Sequence, residues 1–105
     1  MTTKITAIFD NPVDDRAFEA GYDDMLALAL AIPGRTGSES SKVWPKEDGS
    51  AAPAYRLLDL YFADYDSASQ AVTTPQAATF FGCVFALGTG GVKVVFADVE
   101  TTGSA

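Results

Sequence analysis

The clearest pattern in the chain is a stripe of apolar residues that recur at three- and four-residue spacing in its first third. The stripe consists of Phe18, Tyr22, Met25, Leu26, Ala29 and Leu30. This spacing places the side chains on one face of an α-helix, so it predicts a helix over residues 15–30. Asp14 or Asp15 can cap its first turn, and Pro33-Gly34 is a typical helix end.

Alternating and continuous apolar runs elsewhere predict four strands and two shorter helices. The strands are expected at residues 4–9, 35–44, 55–62 and 92–99, and the helices at residues 67–73, after a cap at Asp66, and from Thr74-Pro75 through Phe85. The order strand, helix, strand, strand, helix, strand predicts an α+β, ferredoxin-like split βαβ fold (βαββαβ). In this fold a four-stranded antiparallel sheet carries two main helices on one face.

The predicted sheet carries apolar side chains on both faces. One face of the third strand has Arg56, Leu58, Leu60 and Phe62, and the other has Tyr55, Leu57, Asp59 and Tyr61. In the last strand, Val92, Val94 and Phe96 oppose Lys93, Val95, Ala97 and Val99. Two helices can cover only one face, whereas an antiparallel sheet with a hydrated face normally alternates cleanly. A second copy would cover the open face, so the pattern predicts a homodimer.

Composition and charge exclude several classes of function. The 105 residues contain no histidine, which excludes a Ser-His-Asp triad, a His-ligated haem and an imidazole general base. The net charge of −7 argues against binding to nucleic acid or to an anionic membrane surface. The longest apolar run, residues 25–32, is far shorter than the roughly 20 residues of a membrane span. The length fits one domain, which we assign to residues 1–99, followed by a flexible tail at residues 100–105.

Cysteine usage and the N-terminus favour a cytoplasmic location. Cys83 is the single cysteine, which excludes an internal disulfide and suits a reducing compartment. The first nine residues alternate polar with apolar side chains, unlike a signal peptide. The glycine-rich residues 88–91 follow a helix and precede a strand, which is the reverse of the order in a dinucleotide-binding loop. We expect neither a cofactor nor a metal site.

Several stretches of the chain resemble the EthD-like family, small dimeric α+β barrel proteins named for a component of ethyl tert-butyl ether degradation. The matching stretches are Asn11-Pro12, Phe18-Glu19-Ala20-Gly21-Tyr22, Leu30-Ala31-Ile32-Pro33-Gly34, Tyr55-Arg56-Leu57-Leu58-Asp59-Leu60-Tyr61-Phe62 and Gly90-Gly91-Val92-Lys93-Val94-Val95-Phe96-Ala97-Asp98-Val99-Glu100. The resemblance implies a barrel formed by the sheets of two subunits, with a cleft between helices and sheet. It also implies a small hydrophobic or aromatic ligand and cofactor-free chemistry of the dehydratase, cyclase or oxygenase type.

One position departs from the family pattern. The family commonly places a histidine in its first helix, nine residues before the glycine of its Pro-Gly. The corresponding residue here is Met25. Methionine cannot transfer a proton and instead fills apolar space. A mechanism that depends on that imidazole is therefore lost in this chain or moved to another residue.

Asp59 is the candidate general acid or base. It is flanked by two leucines in a predicted central strand, where a partly buried carboxyl group can transfer protons near neutral pH. The alternative is a structural ion pair, for which the possible partners are Lys4, Lys93 and Arg56. Tyr22 beside Asp59 or Asp24, or Tyr61 on the same strand as Asp59, could supply a phenol as hydrogen-bond donor. Asp24 itself is more simply explained as part of a solvated helix face.

Aromatic side chains are numerous for so short a chain, and a cavity lined by them would suit a flat apolar ligand. The residues expected to line the family's cleft are Phe9, Met25, Trp44, Tyr61, Phe81 and Phe85. Ordinary core packing is the alternative for most of them. Three hypotheses follow for function, one of which is a purely structural oligomer whose core holds no cavity. The chain binds a small hydrophobic molecule, with or without proton transfer, or it is a non-catalytic ligand carrier or subunit-interaction protein, which Met25 favours.

Overall fold

A computed structural model describes residues 1–100 of the chain. In chain order its elements are β1 (Thr3–Phe9), α1 (Asp15–Leu30), β2 (Arg35–Lys42), β3 (Arg56–Phe62), α2 (Tyr65–Ala71), α3 (Pro75–Leu87) and β4 (Val92–Asp98). The strands form one antiparallel sheet in the order β2-β3-β1-β4. The predicted ferredoxin-like α+β fold is therefore confirmed. Residues 101–105 of the predicted tail lie outside the described residues.

Several predicted element ends differ from the structure by one or two residues. Strand β2 ends at Lys42, two residues earlier than predicted. Helix α2 is capped by Asp64, whose carboxylate accepts a hydrogen bond from the backbone N–H of Ser67 at 2.8 Å. The predicted cap, Asp66, lies inside the helix, because the chain turns into the helix two residues sooner. Helix α1 is capped by Asp14, one of the two predicted candidates.

The core lies between one face of the sheet and the three helices of residues 1–100. Alternate strand residues point into it, as the two-residue period of a strand requires. The buried apolar residues are Ile5, Ala7, Phe9, Phe18, Tyr22, Met25, Ala29, Ile32, Leu58, Leu60, Phe62, Ala68, Ala71, Ala77, Phe80 and Val84. Helices α1 and α3 pack closely, because a β-carbon on Gly21 would lie only 2.8 Å from Cδ1 of Leu87.

The other side of the sheet, which we call the open face, has no helix over it within residues 1–100. The strand register places on it Lys4, Thr6, Ile8, Glu39, Leu57, Asp59, Tyr61, Lys93, Val95 and Ala97. Apolar and charged residues are mixed there, so the prediction of two apolar faces is right only in part. Tyr55, which we predicted for this face, lies instead against Phe18 on the helix side, with ring centroids 5.1 Å apart. Tyr55 precedes β3 and does not follow the alternation of the strand.

Candidate functional site

A groove of about 170 Å³ runs between α1 and the edge of the sheet that β2 forms. Its lining residues are Leu26, Ala29, Leu30, Ser38, Glu39, Ser40 and Leu58. We call this cleft the α1–β2 groove. The residues from α1 and β3 make an apolar wall, whereas β2 contributes hydroxyl groups. The groove exists because Ser38 and Ser40, at alternate positions of an edge strand, are too small to fill the space beside the helix.

A buried phenol lies beside the groove. Tyr22 is only 3% exposed, and its hydroxyl oxygen lies 2.6 Å from Oγ of Ser40. Either oxygen can be the donor in this hydrogen bond. Buried tyrosine hydroxyls normally have a polar partner, and here the partner is a residue that itself lines the groove. The pair therefore places a hydrogen-bonding oxygen against an otherwise apolar wall.

An ion pair between Arg56 and Glu19 lies beside the ring of Tyr22. Nη2 of Arg56 donates to the two carboxylate oxygens of Glu19 at 2.9 and 3.0 Å. The Tyr55 hydroxyl donates to the same carboxylate at 3.0 Å, and Nζ of Lys42 lies 3.5 Å from it. The Arg56 guanidinium lies over the Tyr22 ring, 4.2 Å from its centroid, at cation–π distance. Burial raises the pKa of Glu19, but these donors stabilise the carboxylate more strongly, so that its pKa lies below its ordinary value.

Sequence reasoning missed the pair formed by Glu19 and Arg56. We treated Arg56 only as a possible partner of Asp59. The sequence did contain a signal for this pair. Arg56 shares the core-facing side of β3 with Leu58 and Leu60. An arginine on an apolar face requires a carboxylate nearby. The pattern could not show that the carboxylate comes from α1, 37 residues earlier.

Asp59 lies on the open face, where two groups bind its carboxylate. Nζ of Lys4 is 3.5 Å from Oδ1, and the Thr6 hydroxyl donates to the same atom at 2.5 Å. Of the predicted ion-pair partners, Lys4 is therefore the one in contact. Arg56 points to the opposite side of the sheet. Lys93 lies on the open face and forms no ion pair among the residues that the structure describes.

Tyr61 is a second polar group on the open face. Its hydroxyl donates to the carboxylate of Glu39 on the neighbouring strand. This hydrogen bond, together with partial burial, raises the pKa of Tyr61 to about 12. The phenol therefore stays protonated throughout the neutral range, and its single proton is donated to Glu39. Because Lys4 is directly opposite Tyr61 in the sheet register, Tyr61 and Asp59 belong to one polar patch.

The two residues predicted as a catalytic pair lie on opposite sides of the sheet. Tyr22 projects from α1 into the helix side, whereas Asp59 is on the open face. Asp24, the other predicted partner of Tyr22, is exposed on α1. The structure thus brings Asp59 together with Tyr61 and not with Tyr22. The alternation along β3 already indicated that Asp59 and Tyr61 share a face, since they are two residues apart.

The predicted lining residues occupy three different environments. Phe9 and Met25 are fully buried in the core. Tyr61 is half-buried on the open face, and Phe81 packs at the margin of the core. Phe85 is 60% exposed and Trp44 is 87% exposed. None of these residues lines the α1–β2 groove, which aliphatic and hydroxyl side chains form instead.

Within residues 1–100, no helix combines the length and the apolar character that a membrane crossing requires. The same residues contain no group of three or more Cys, Asp or Glu side chains arranged to hold a metal ion.

Comparison with known proteins identifies a sequence relative that covers nearly the whole chain. The chain is 30% identical over 99 residues to an uncharacterized 11.0 kDa protein in the thcB-thcC intergenic region of Rhodococcus erythropolis. The match covers 93% of this chain and 95% of that protein. No family model matches the chain.

Solved structures share the fold over nearly the whole chain. An EthD family protein of Bacillus halodurans superposes with a TM-score of 0.87 at 20% identity, covering 95% of this chain and 100% of that one. SnoaB, a cofactor-independent oxygenase of Streptomyces nogalater, gives 0.63 at 14% identity over 96% and 94% of the two chains. A dimeric ferredoxin-like protein of unknown function from Jannaschia gives 0.66 at 14% identity over 94% and 100%. The predicted resemblance to the EthD-like proteins is confirmed.

Proposed function

The chain belongs to the same family as the 11.0 kDa protein of Rhodococcus erythropolis and has the fold of an EthD family protein, and from this we propose that it is a homodimer that binds a small hydrophobic molecule. The ligand site is the α1–β2 groove. The observation that supports this proposal most strongly is the composition of the groove, an apolar wall of Leu26, Ala29 and Leu58 facing the hydroxyl groups of β2.

The size and polarity of the groove define the class of ligand. At about 170 Å³ it is smaller than the roughly 300–1,000 Å³ of pockets for drug-sized molecules, so it suits a fragment-sized ligand. Its apolar wall requires a largely hydrophobic molecule, and Ser38 and Ser40 can hydrogen-bond a single oxygen atom. The ionised group at its rim is Glu39, and the chain carries a net charge of −7, so an anion is disfavoured. An uncharged phenol or ketone meets all three conditions.

The open face supports the dimer. Val95 is 43% exposed there, and Ile8 and Leu57, which are paired on the two central strands, lie on the same face. A second copy that packs on this face would remove these side chains from water, and two sheets commonly pack face to face in this way. The Jannaschia protein with the same fold is dimeric.

Filling the groove is expected to abolish binding without unfolding the chain. Ser38 is exposed on an edge strand, so a tryptophan is tolerated at this position and occupies the groove. With 4-fluorophenol as probe, the wild-type protein should broaden and shift the ¹⁹F resonance in proportion to its concentration. In Ser38→Trp the effect should fall at least tenfold, because the probe and the indole cannot share the space.

Thr36→Trp is the matched control, since Thr36 is exposed on the same strand and does not line the groove. It should bind the probe as the wild type does. Equal broadening by wild type and Ser38→Trp would place the probe elsewhere and refute the groove as the site. Native mass spectra of the same three proteins should each show a dimer, which separates a lost site from a lost assembly.

Proton transfer at the open face is a second candidate function. It is favoured by the patch in which Asp59 and Tyr61 share one face, with a carboxylate as acid or base and a phenol that can donate to a substrate once it releases Glu39. SnoaB, which shares the fold, is a cofactor-independent oxygenase. The ion pair of Asp59 with Lys4 is the competing explanation, because it gives the carboxylate a purely structural role.

Replacing Asp59 with asparagine is expected to remove this chemistry. If Asp59 is a general base, the protein should accelerate the exchange of the α-protons of 1-indanone in D₂O, followed by ¹H NMR. Loss of a general base should lower that acceleration about 100-fold or more in Asp59→Asn. Asp24→Asn, a change of the same kind at an exposed helix position, should leave the rate unchanged. Equal rates with Asp59→Asn and wild type would leave ligand carriage, the role that Met25 favours, as the function.

A further inference from the structure

Ser40 carries a hydroxyl group whose position in the α1–β2 groove is fixed. The residue lines the groove from the edge strand β2, directly opposite Leu58 of the apolar wall. Its Oγ lies 2.6 Å from the hydroxyl oxygen of Tyr22, which is only 3% exposed and stacks on the ring of Phe18. A ligand that hydrogen-bonds Ser40 therefore meets a group that is already ordered, which reduces the entropy lost on binding.

The acidity of the two hydroxyl groups determines which oxygen donates in this hydrogen bond. A phenol gives up its proton more readily than an aliphatic alcohol, and it is the poorer acceptor because its oxygen lone pair is delocalised into the ring. The Arg56 guanidinium, 4.2 Å from the centroid of the Tyr22 ring, draws further electron density away from the phenol oxygen. Both effects make Tyr22 the donor and Oγ of Ser40 the acceptor.

With Tyr22 as the donor, the proton of Ser40 is available to a ligand. A serine hydroxyl has one proton and two lone pairs, so an oxygen that accepts from Tyr22 can still donate once. Within residues 1–100, the Tyr22 hydroxyl is the hydrogen-bond partner of Oγ of Ser40, and the apolar side chains across the groove offer no acceptor. Hydrogen bonds in series polarise each other, so the bond from Tyr22 makes Ser40 a stronger donor.

We propose that Ser40 is the specificity-determining residue of the groove, that Tyr22 positions it, and that the Ser40 proton selects ligands with a carbonyl oxygen. This inference rests on the function proposed for the groove and narrows its class of ligand, because it favours ketones over phenols. A ketone accepts the Ser40 proton. A phenol accepts it weakly, and a phenol that donates to Ser40 instead leaves that proton without an acceptor, which weakens binding.

Two probes of nearly the same shape test the inference. 4-Fluoroacetophenone has a carbonyl oxygen where 4-fluoro-α-methylstyrene has a methylene group, and ¹⁹F NMR titration gives the dissociation constant of each. In Ser40→Ala the preference for the ketone over the alkene should fall about fivefold, the size expected for one neutral hydrogen bond. Ser41→Ala is the matched control, because Ser41 is the next serine of β2, is exposed and does not line the groove. It should leave both constants unchanged.

Tyr22→Phe tests the direction of the hydrogen bond. The variant keeps the ring, so the alkene, which makes no hydrogen bond, reports any loss of packing. With Tyr22 as the donor, the variant loses the group that orients and polarises Ser40, and the ketone alone should bind about twofold more weakly or worse. Equal weakening of both probes would overturn the positioning role. If Ser40 is instead the donor to Tyr22, the variant frees the serine proton, and a ketone that binds more tightly would overturn the inference.

Ser38→Trp separates failure of this inference from failure of the proposed function. If the wild type binds neither probe, or if Ser38→Trp binds them as the wild type does, the groove is not the ligand site and this inference falls with it. If Ser38→Trp abolishes binding of both probes but Ser40→Ala keeps the wild-type preference for the ketone, the groove stands and this inference alone is overturned.

Discussion

Truncating Phe18 to alanine is expected to lower the free energy of unfolding by about 3–5 kcal/mol, the usual cost of removing a buried aromatic ring. Phe18 is 2% exposed and lies at the centre of an aromatic cluster. Its ring is 5.1 Å from Phe9 in an edge arrangement and 5.5 Å from Tyr22 in a stacked one. The variant therefore loses apolar burial, leaves a cavity and removes ring–ring contacts.

The same truncation has a functional consequence. Tyr22 depends on the Phe18 ring on one side and on the Arg56 guanidinium on the other. Without the ring, Tyr22 can shift away from Ser40, and the polar oxygen beside the groove is then no longer held in place. We expect weaker binding of 4-fluorophenol at temperatures where Phe18→Ala is still folded, in addition to the loss of stability.

Phe85→Ala is the matched control, because it removes the same ring from a position that is 60% exposed. Surface substitutions of this kind usually change stability by less than about 0.5 kcal/mol. Urea unfolding followed by circular dichroism measures both variants, at one protein concentration because dimerisation contributes to apparent stability. Similar losses in the two variants would mean that Phe18 is not the centre of the core described above.

Replacing Gly90 with alanine is expected to lower the free energy of unfolding by about 3 kcal/mol. This is at the upper end of the destabilisation that overpacking usually causes. A β-carbon at this position would lie 1.8 Å from the carbonyl oxygen of Asn11 and 2.7 Å from its carbonyl carbon. These are backbone atoms, so no side-chain rotation relieves the overlap. Relief requires the turn before β4 to move away from the segment between β1 and α1, which the hydrogen bond from Asp10 N–H to the Gly91 carbonyl holds at 3.0 Å.

Gly82→Ala is the matched control for this substitution. Gly82 is exposed in the interior of α3, and a β-carbon there meets nothing within 4 Å. Alanine should stabilise the chain by up to about 1 kcal/mol, because it favours the helix over the unfolded chain. The two substitutions should thus change the free energy of unfolding in opposite directions in the same urea experiment. A neutral or stabilising Gly90→Ala would show that the two segments are farther apart than the structure places them.

The fold was predictable because each element has a local signal in the sequence. The apolar stripe from Phe18 to Leu30 has the period of a helix, and Asp14 and Pro33-Gly34 mark its limits. Alternation in β3 and β4 divides the residues of each strand between two faces, and the short apolar run in β1 predicts the first strand. Periodicity depends only on neighbours within about two helical turns, so it can be read without knowing what the segments contact.

The candidate site was predicted less well, because its contacts join distant parts of the chain. Sequence reasoning identified Tyr22 and Asp59 as chemically interesting, and the structure separates them by the thickness of the sheet. It also predicted that the aromatic residues line one cleft, whereas Phe9 is buried in the core and Trp44 is exposed to water. Alternation states which residues share a face of one strand, but not which helix residue lies opposite that face.

The sequence by itself determined the α+β architecture, the four strands and the division of β3 and β4 between two faces, since these follow from short-range patterns of apolar and polar residues. Only the tertiary structure decided that Glu19 neutralises Arg56, that Lys4 and not Lys93 pairs with Asp59, and that small serines on β2 leave a groove beside α1. These features depend on strand register and on where α1 crosses the sheet. Both are set by the packing of the whole core, to which every element contributes, and no local pattern contains them.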